Sequence, residues 1–303
     1  MGQVCTVKNV ARQYKAVAIS THYWKPGEDH LTEIVGAIRN KIMDGDFVTI
    51  SEKALSTALG NIIDESKIKP SRLARFLAKY WMRLFWGYAL GPIARLRKKT
   101  IWHIRKYPIE DGSAHKQVAL THTNFLQALM YGSEGGIDAN NLPYSYVSLP
   151  LKNAQQIAQK IRERIKSELD KDVTVMIVDT DKTYSLGGFH FTHRRKPIKG
   201  IHSFGGFLAY IIGRHFKMKK RATPIAIAGS KIGVEEALEI AEIANRVRGF
   251  GAGRTAWDMA ERFRVSATGV TWNMLSKIEH KPIVIIREMN KSSDLSSKIS
   301  FRQ

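Results

Sequence analysis

Apolar positions recur along the chain with two alternating periods. The run Val173-Thr-Val-Met-Ile-Val178 contains no charged residue and is rich in β-branched side chains, which predicts a strand buried on both faces. Just before it, residues 153–170 place Ile157, Ile161, Ile165 and Leu169 four apart, the spacing of an amphipathic helix. The pattern ends this strand at Asp179-Thr180. In open α/β sheets ligands gather outside the carboxyl ends of strands, so the aspartate is a candidate ligand group. A strand-end aspartate that only caps the next turn fits the same pattern.

The same periods organise the rest. Residues 16–24 read as a strand, Lys25-Pro-Gly-Glu-Asp29 as a turn, residues 31–42 as an amphipathic helix and Phe47–Ile50 as a second strand leading into a helix over 54–59. Pro70-Ser71 opens a long helix, with both residues suited to a helix start, and Gly91-Pro92 breaks it. Residues 116–131 read as a strand and a short helix. Gly132–Asn141 is a glycine-rich loop holding a carboxylate and two amides. Thr223–Ala228 and Pro282–Arg287 are further strands, and Gly233–Arg248 is a helix running into Gly249-Phe250-Gly251-Ala252-Gly253. Residues 291–303 are polar and serine-rich, and are expected to be disordered. There are no internal repeats. Helices and strands interleave throughout, so the expected fold is α+β (mixed α/β).

Composition narrows the setting. The 303 residues are 44% hydrophobic and 25% charged, values of a soluble globular protein. One cysteine, Cys5, excludes a disulfide framework and a cysteine-based zinc site and suits a reducing cytoplasm. The amino terminus lacks the apolar core of a signal peptide. The net charge of +21 predicts attraction to polyanions without choosing among them. Its distribution is more informative. Residues 182–221 hold ten Lys or Arg, four histidines and no Asp or Glu, which suits phosphate or RNA contact and equally a solvated basic face. The histidines do not stand at a metal-binding spacing. In residues 72–106 aromatic side chains alternate with Lys and Arg; Lys79, Arg83 and Gly91-Pro92 exclude a membrane span. Such a segment suits a membrane surface, RNA bases or a helix packing its rings inward.

Several stretches, in order across residues 16–254, resemble the coenzyme F420-0:L-glutamate ligase family, also called F420-0:gamma-glutamyl ligase. They are the entry turn Lys25-Pro-Gly-Glu-Asp-His-Leu31, the segment Asp44-Gly-Asp-Phe-Val-Thr-Ile-Ser-Glu-Lys53, the helix start Pro70-Ser71, the loop Gly136-Ile-Asp-Ala-Asn-Asn141, and Leu149-Pro150 followed by Val178-Asp-Thr180. The resemblance implies two intertwined subdomains, about 1–70 with 222–290 and about 71–221, within one ligase-like domain over 1–290, and a homodimer. It implies a GTP-dependent ligase using Mn²⁺ or Mg²⁺, in which a substrate carboxylate such as that of coenzyme F420-0 is activated by phosphoryl transfer and then attacked by the amine of L-glutamate or another amino acid. By position, Asp138, Asp179 and Thr180 would meet the metals. Tyr23, Trp24, Lys25, Glu52, Lys53, Asn141, Gly249, Gly251 and Gly253 would surround the nucleotide.

Three departures stand beside the match. The family follows Asp-Thr with Gly-Arg, where this chain has Asp181-Lys182. Its Ser-Lys-Ala-Glu-Gly is Ser56-Thr-Ala-Leu-Gly60 here. Phe250 stands where the family loop carries a glutamate, and a phenyl ring cannot bind a cation. Two expectations follow. One is a divergent ligase that retains its first metal position. The other is a non-catalytic nucleotide- or RNA-binding protein on the same fold, using the basic surface of 182–221.

Overall fold

The computed structural model describes residues 4–8 and 13–289, so the tail expected to be disordered lies outside the described residues. Chain order begins with β1 (Val4–Lys8), β2 (Gln13–Thr21), α1 (His30–Ile38), β3 (Phe47–Ser51), α2 (Glu52–Ala58) and β4 (Ile62–Asp64). A helical region follows: α3 (Arg72–Phe76), a π-helix (Leu77–Leu90), α4 (Gly91–Ile93), α5 (Lys98–Arg105), α6 (Glu110–His122) and α7 (Phe125–Ala128). Then come β5 (Tyr146–Ser148), α8 (Ala154–Leu169), β6 (Thr174–Leu186), β7 (Phe189–Thr192), β8 (His202–Ser203), α9 (Phe207–His215), β9 (Lys219–Ala228), α10 (Val234–Arg248), α11 (Ala256–Phe263), α12 (Trp272–Ser276) and β10 (His280–Met289). The architecture is mixed α+β, as the pattern predicts.

Eight strands form one mixed sheet in the order β1-β2-β10-β3-β6-β7-β8, with β9 on the other edge of β6. Strand β6 is its axis. Its first half pairs in parallel with β3, its second half pairs antiparallel with β7, and β9 runs antiparallel along it. Alternate side chains enter opposite layers, as a strand's period of two requires. Val175 and Ile177 join Ile283 and Ile285 under α1, α2 and α8, whereas Met176 and Val178 join Val284 and Ile286 under α10. A sheet covered on both faces explains the unbroken apolar run.

The structure corrects the predicted end of this strand. Strand β6 continues seven residues past Asp179. Its pairing with β9 slips there: Asp179 faces Thr223 and Lys182 faces Ala222, so Thr180 and Asp181 form a bulge. Bulges re-aim side chains at the point where pairing is interrupted. Thr180 is accordingly exposed in a strand that is otherwise mostly buried.

A second correction concerns the strand read in 116–131; the short helix read there is α7. Residues 110–122 are helical, with Lys116 and Val118 both buried. Lys116 is wholly buried, with its ammonium bonded to the Met130 carbonyl and to Glu134, so a charged residue occupies a core position of this helix.

The long helix predicted after Pro70-Ser71 starts there, with Ser71 Oγ accepting the Ala74 N–H. It soon widens into the π-helix. The buried positions Leu77, Met82, Trp86 and Gly91 are spaced five, four and five apart, a repeat of roughly four and a half residues that suits a π-helix better than an α-helix. Trp81 and Trp86, five apart, both donate their Nε1–H to the Leu129 carbonyl, at 2.8 and 2.7 Å. This tie holds the helix to a cluster that includes Ile104, Val118 and Ile137. Trp86→Ala should cost about 3–5 kcal/mol in urea-monitored unfolding, by cavity formation. Trp86→Phe keeps the ring and should cost roughly 1–2 kcal/mol, mainly the lost hydrogen bond and the smaller ring.

Candidate functional site

A buried guanidinium organises the site. Arg194 is 2% exposed. Its Nε bonds Asp179 Oδ2 at 2.6 Å, its Nη2 bonds Glu52 Oε1 at 2.5 Å, and its Nη1 donates to the Gly135 carbonyl at 2.8 Å. The β6 bulge, the start of α2 and the glycine loop are thereby fixed to one planar fork. Gly136 has φ +102°, and a Cβ there would lie 2.5 Å from the Arg194 Cζ, so both backbone and space require glycine. Burial works against ionisation of Asp179, but Arg194 and the Asp181 N–H hold it below the usual carboxylate range. Burial pushes Glu52 above that range against the pull of Arg194. Both carboxyls share the one guanidinium.

Around this centre the glycine loop is stitched to the loop after α10. Asn141 Oδ1 accepts the Ala252 N–H at 2.7 Å and Asn140 Nδ2 donates to the Gly253 carbonyl at 2.7 Å. Tyr23 Oη donates to the Asn141 carbonyl at 2.6 Å. Lys53 Nζ reaches the Asn140 carbonyl at 2.8 Å and Asp138 Oδ2 at 2.5 Å. His280 stacks on Tyr23, with ring centroids 4.5 Å apart, and burial pushes its imidazole down to about 4.

These loops enclose a cavity of about 510 Å³ lined by Tyr23, Trp24, Lys53, Asn141, Asp179 and Gly249–Gly251 together with Gly253. Its wall is rich in cations: Lys182, Arg214, Arg246, Arg248 and Arg254. Lys182 and Arg246 are paired with Glu242, and Arg254 lies over the Phe250 ring at 4.1 Å. Arg248 has no ion pair among the described residues; burial lowers it to about 10, with the Asp179 charge opposing. A half-buried arginine that lines a cavity and has no carboxylate partner is a ready phosphate partner.

A second cavity of about 480 Å³ adjoins it. Asp138, Asn140, Thr180 and Arg254 line both, so the two are chambers of one site. The second chamber is acidic and aromatic, with Glu65, Glu110, Asp111 and Asp181 among Tyr107, Tyr131, Tyr144 and Trp257. His115 bridges Glu65 at 2.6 Å and Glu134 at 2.8 Å, and buried Lys116 meets Glu134 at 2.5 Å. Burial opposes charge on His115, yet the two glutamates raise it well above its ordinary value. Burial and the Asp179 charge raise Asp181, which accepts a hydrogen bond from Ser133 at 2.8 Å.

The structure brings most of the sequence-derived candidates together. Asp138, Asp179, Thr180, Tyr23, Trp24, Lys53, Asn141, Gly249, Gly251 and Gly253 all line the first chamber. Lys25 lies outside its lining on an exposed turn, and Glu52 lies beneath it, bound to Arg194 and to the Leu151 N–H. Arg194, Arg248, Asp181 and the His115 bridge were missed. For Arg194 the only signal was a basic run with no acid nearby in sequence. Asp138, Asp179 and Thr180 offer the hard oxygens that Mg²⁺ or Mn²⁺ prefer. Both carboxylates already contact cationic side chains, and the described residues hold no group of three His, Cys, Asp or Glu side chains that could hold a metal. The donor set fits an ion carried in on phosphates, which Mg²⁺ commonly is, and not a preformed cage.

Comparison with known proteins follows the same lines. The family model described as F420-0:Gamma-glutamyl ligase matches residues 18–252. An uncharacterized protein of Methanocaldococcus jannaschii is 38% identical over 286 residues, covering 90% of this chain and 96% of its own. The coenzyme F420:L-glutamate ligase of the same organism is 28% identical over 172 residues, covering 56% of this chain and 61% of its own.

Removing the guanidinium should leave two buried carboxyls without their partner. Arg194→Met is expected to cost about 3–5 kcal/mol in chemical unfolding, and adding Glu52→Gln should recover part of that. For His115 the raised value means that its stabilisation is complete below about pH 6.5 and is lost as pH rises through the elevated folded value. The stability gap between wild type and His115→Gln, followed by urea titration across pH, should therefore shrink toward alkaline pH.

Proposed function

The chain belongs to the F420-0:gamma-glutamyl ligase family, and from that premise we propose that it uses GTP to join L-glutamate, or another amino acid, to a carboxylate-bearing acceptor through an amide bond. The observation that carries the reading is the pair of adjoining chambers of opposite charge that share Asp138, Asn140, Thr180 and Arg254. The basic chamber suits a triphosphate, and the acidic aromatic chamber suits the acceptor and the incoming amine.

In this reading an acceptor carboxylate oxygen attacks the terminal phosphorus of GTP at the shared wall. The bond to the departing diphosphate breaks, leaving an acyl phosphate and GDP. The amine nitrogen of glutamate then attacks the acyl carbon, and phosphate leaves. Arg248 and Lys53 hold the phosphates and stabilise the charge that develops on them. Asp181, raised by burial and by Asp179, is placed to accept the proton the amine loses. Asp138, Asp179 and Thr180 would hold Mg²⁺ or Mn²⁺ against the phosphates, and the ion, when bound, neutralises phosphate charge. Arg194 does no chemistry; it aims Asp179. The homodimer implied by the resemblance belongs with this proposal.

The acidic chamber qualifies the acceptor. Among its lining residues the cations are Arg254, committed to Phe250, and His115, committed to two glutamates. A strongly anionic acceptor such as coenzyme F420-0 would find little free countercharge there. Phe250 and the cation-held carboxylates favour a second reading, a nucleotide-binding protein without turnover.

Calorimetric titration of GTP and ATP, with Mn²⁺ and with chelator, separates these readings. Metal-dependent GTP binding at micromolar affinity is expected, abolished in Asp179→Asn and weakened about 10–100-fold in Arg248→Met, the loss of one charge-assisted contact. Binding without amide formation, assayed with glutamate and a panel of carboxylates, would favour the second reading. Absence of nucleotide binding would remove both.

A further inference from the structure

Two long stretches of the chain carry no acid. Residues 66–109 hold twelve Lys or Arg, residues 182–221 hold ten, and neither contains Asp or Glu. The fold packs them side by side. Trp81 meets Phe207 edge-on with ring centroids 5.5 Å apart, and Trp86 meets Tyr210 at 6.1 Å. Arg214 donates to the Ala94 and Arg95 carbonyls at 2.6 and 2.9 Å.

The outer side of this pairing is apolar as well as basic. Leu73, Phe76, Tyr80, Leu84 and Tyr88 stand exposed, the last four at four-residue spacing from the end of α3 along the π-helix. They line neither chamber. On neighbouring α9, Leu208 and Ile212 are exposed too, and Phe216 just past its end is 67% exposed. Cations rise among the rings. Lys79 lies 5.1 Å from the Tyr80 centroid, Arg105 lies 4.2 Å from that of Tyr88, and Lys106 lies 4.2 Å from that of Trp102. Arg72, Arg75, Lys79 and Lys98 are exposed and form no ion pair among the described residues.

We propose that this face docks the protein on an anionic lipid bilayer. Rings and aliphatic side chains enter the boundary between headgroups and acyl chains, and the flanking Lys and Arg meet lipid phosphates. No helix among the described residues is long and apolar enough to cross a membrane, so the segment lies on the surface. Charge and side-chain type choose the occupant. Leu73 and Leu84 have no ring to stack on a nucleobase, which disfavours RNA. A second copy related by a two-fold axis would bring like charges together, because neither stretch supplies an acid.

The test is co-sedimentation of the full chain with vesicles of pure phosphatidylcholine and with vesicles in which about one lipid in three is phosphatidylglycerol. Pelleting with the anionic vesicles alone, weakened by high salt, is expected. The variant Phe76→Ser/Leu84→Ser/Tyr88→Ser should lower vesicle partitioning at least about tenfold, and Arg75→Glu/Lys79→Glu should do likewise. Circular dichroism and nucleotide titration of both variants should match wild type, since these residues are exposed and outside the chambers. No pelleting with anionic vesicles overturns the proposal, as does pelleting unaffected by either variant. Binding of polyuridylate in place of vesicles would assign the face to RNA. A dimer dissolved by the triple serine variant, with no vesicle binding, would assign it to a second copy. Either result also overturns the proposal.

Discussion

A single buried guanidinium ties together the parts of this protein that come from distant places in the chain. Arg194 reaches the start of α2 through Glu52, the bulge of β6 through Asp179 and the glycine loop through the Gly135 carbonyl. A buried ion pair of this kind gives little net stability, because desolvation offsets much of the attraction. Its value lies in geometry. The fork holds Asp179 at a fixed angle beside Asp138 and Thr180, and a candidate phosphate site needs such rigidity. Breaking the fork leaves charge in a low-dielectric interior, so the arrangement resists drift.

Charge is sorted in this protein more sharply than its overall balance of +21 suggests. Basic groups crowd the chamber that suits phosphates, and acids crowd the chamber beside it. The shared wall separates them at Asp138, Asn140, Thr180 and Arg254. In the proposed reaction, fields of opposite sign on the two sides would hold an anionic nucleotide and a cationic amine at one seam, where an amide-forming reaction needs them. Part of the remaining positive charge faces outward around α3 and the π-helix, at Arg72, Arg75, Lys79 and Lys98, outside the lining of either chamber.

Most of the scaffold was legible in the chain. The apolar run Val173–Val178 and the four-residue spacing before it predicted the central strand and α8, because burial on two faces and on one stripe leaves distinct periods. The glycine loop was legible because left-handed backbone at Gly132, Gly135 and Gly136 calls for glycine. Where the reading failed, a local rule met a tertiary one. Residues from 116 onward read as a strand, but they are helical, and Lys116 is buried against Glu134, eighteen positions away. The continuation of β6 past Asp179 was hidden because polar residues there pair with β7 and β9, which the local pattern does not encode.

The sequence by itself determined the alternation of helices and strands, the loop chemistry and the family, since these rest on short-range periodicity and on ordered motifs. Tertiary structure alone decided which charges meet. The acids that compensate the buried bases of residues 182–221 come from elsewhere: Glu52 precedes Arg194 by 142 positions, and Glu235 follows Arg221 by 14. Electrostatic partnership depends on distance in space and on the dielectric between groups. Neither quantity is written in sequence order, so the acid-free segment read as open polyanion surface when part of it is the interior support of the site.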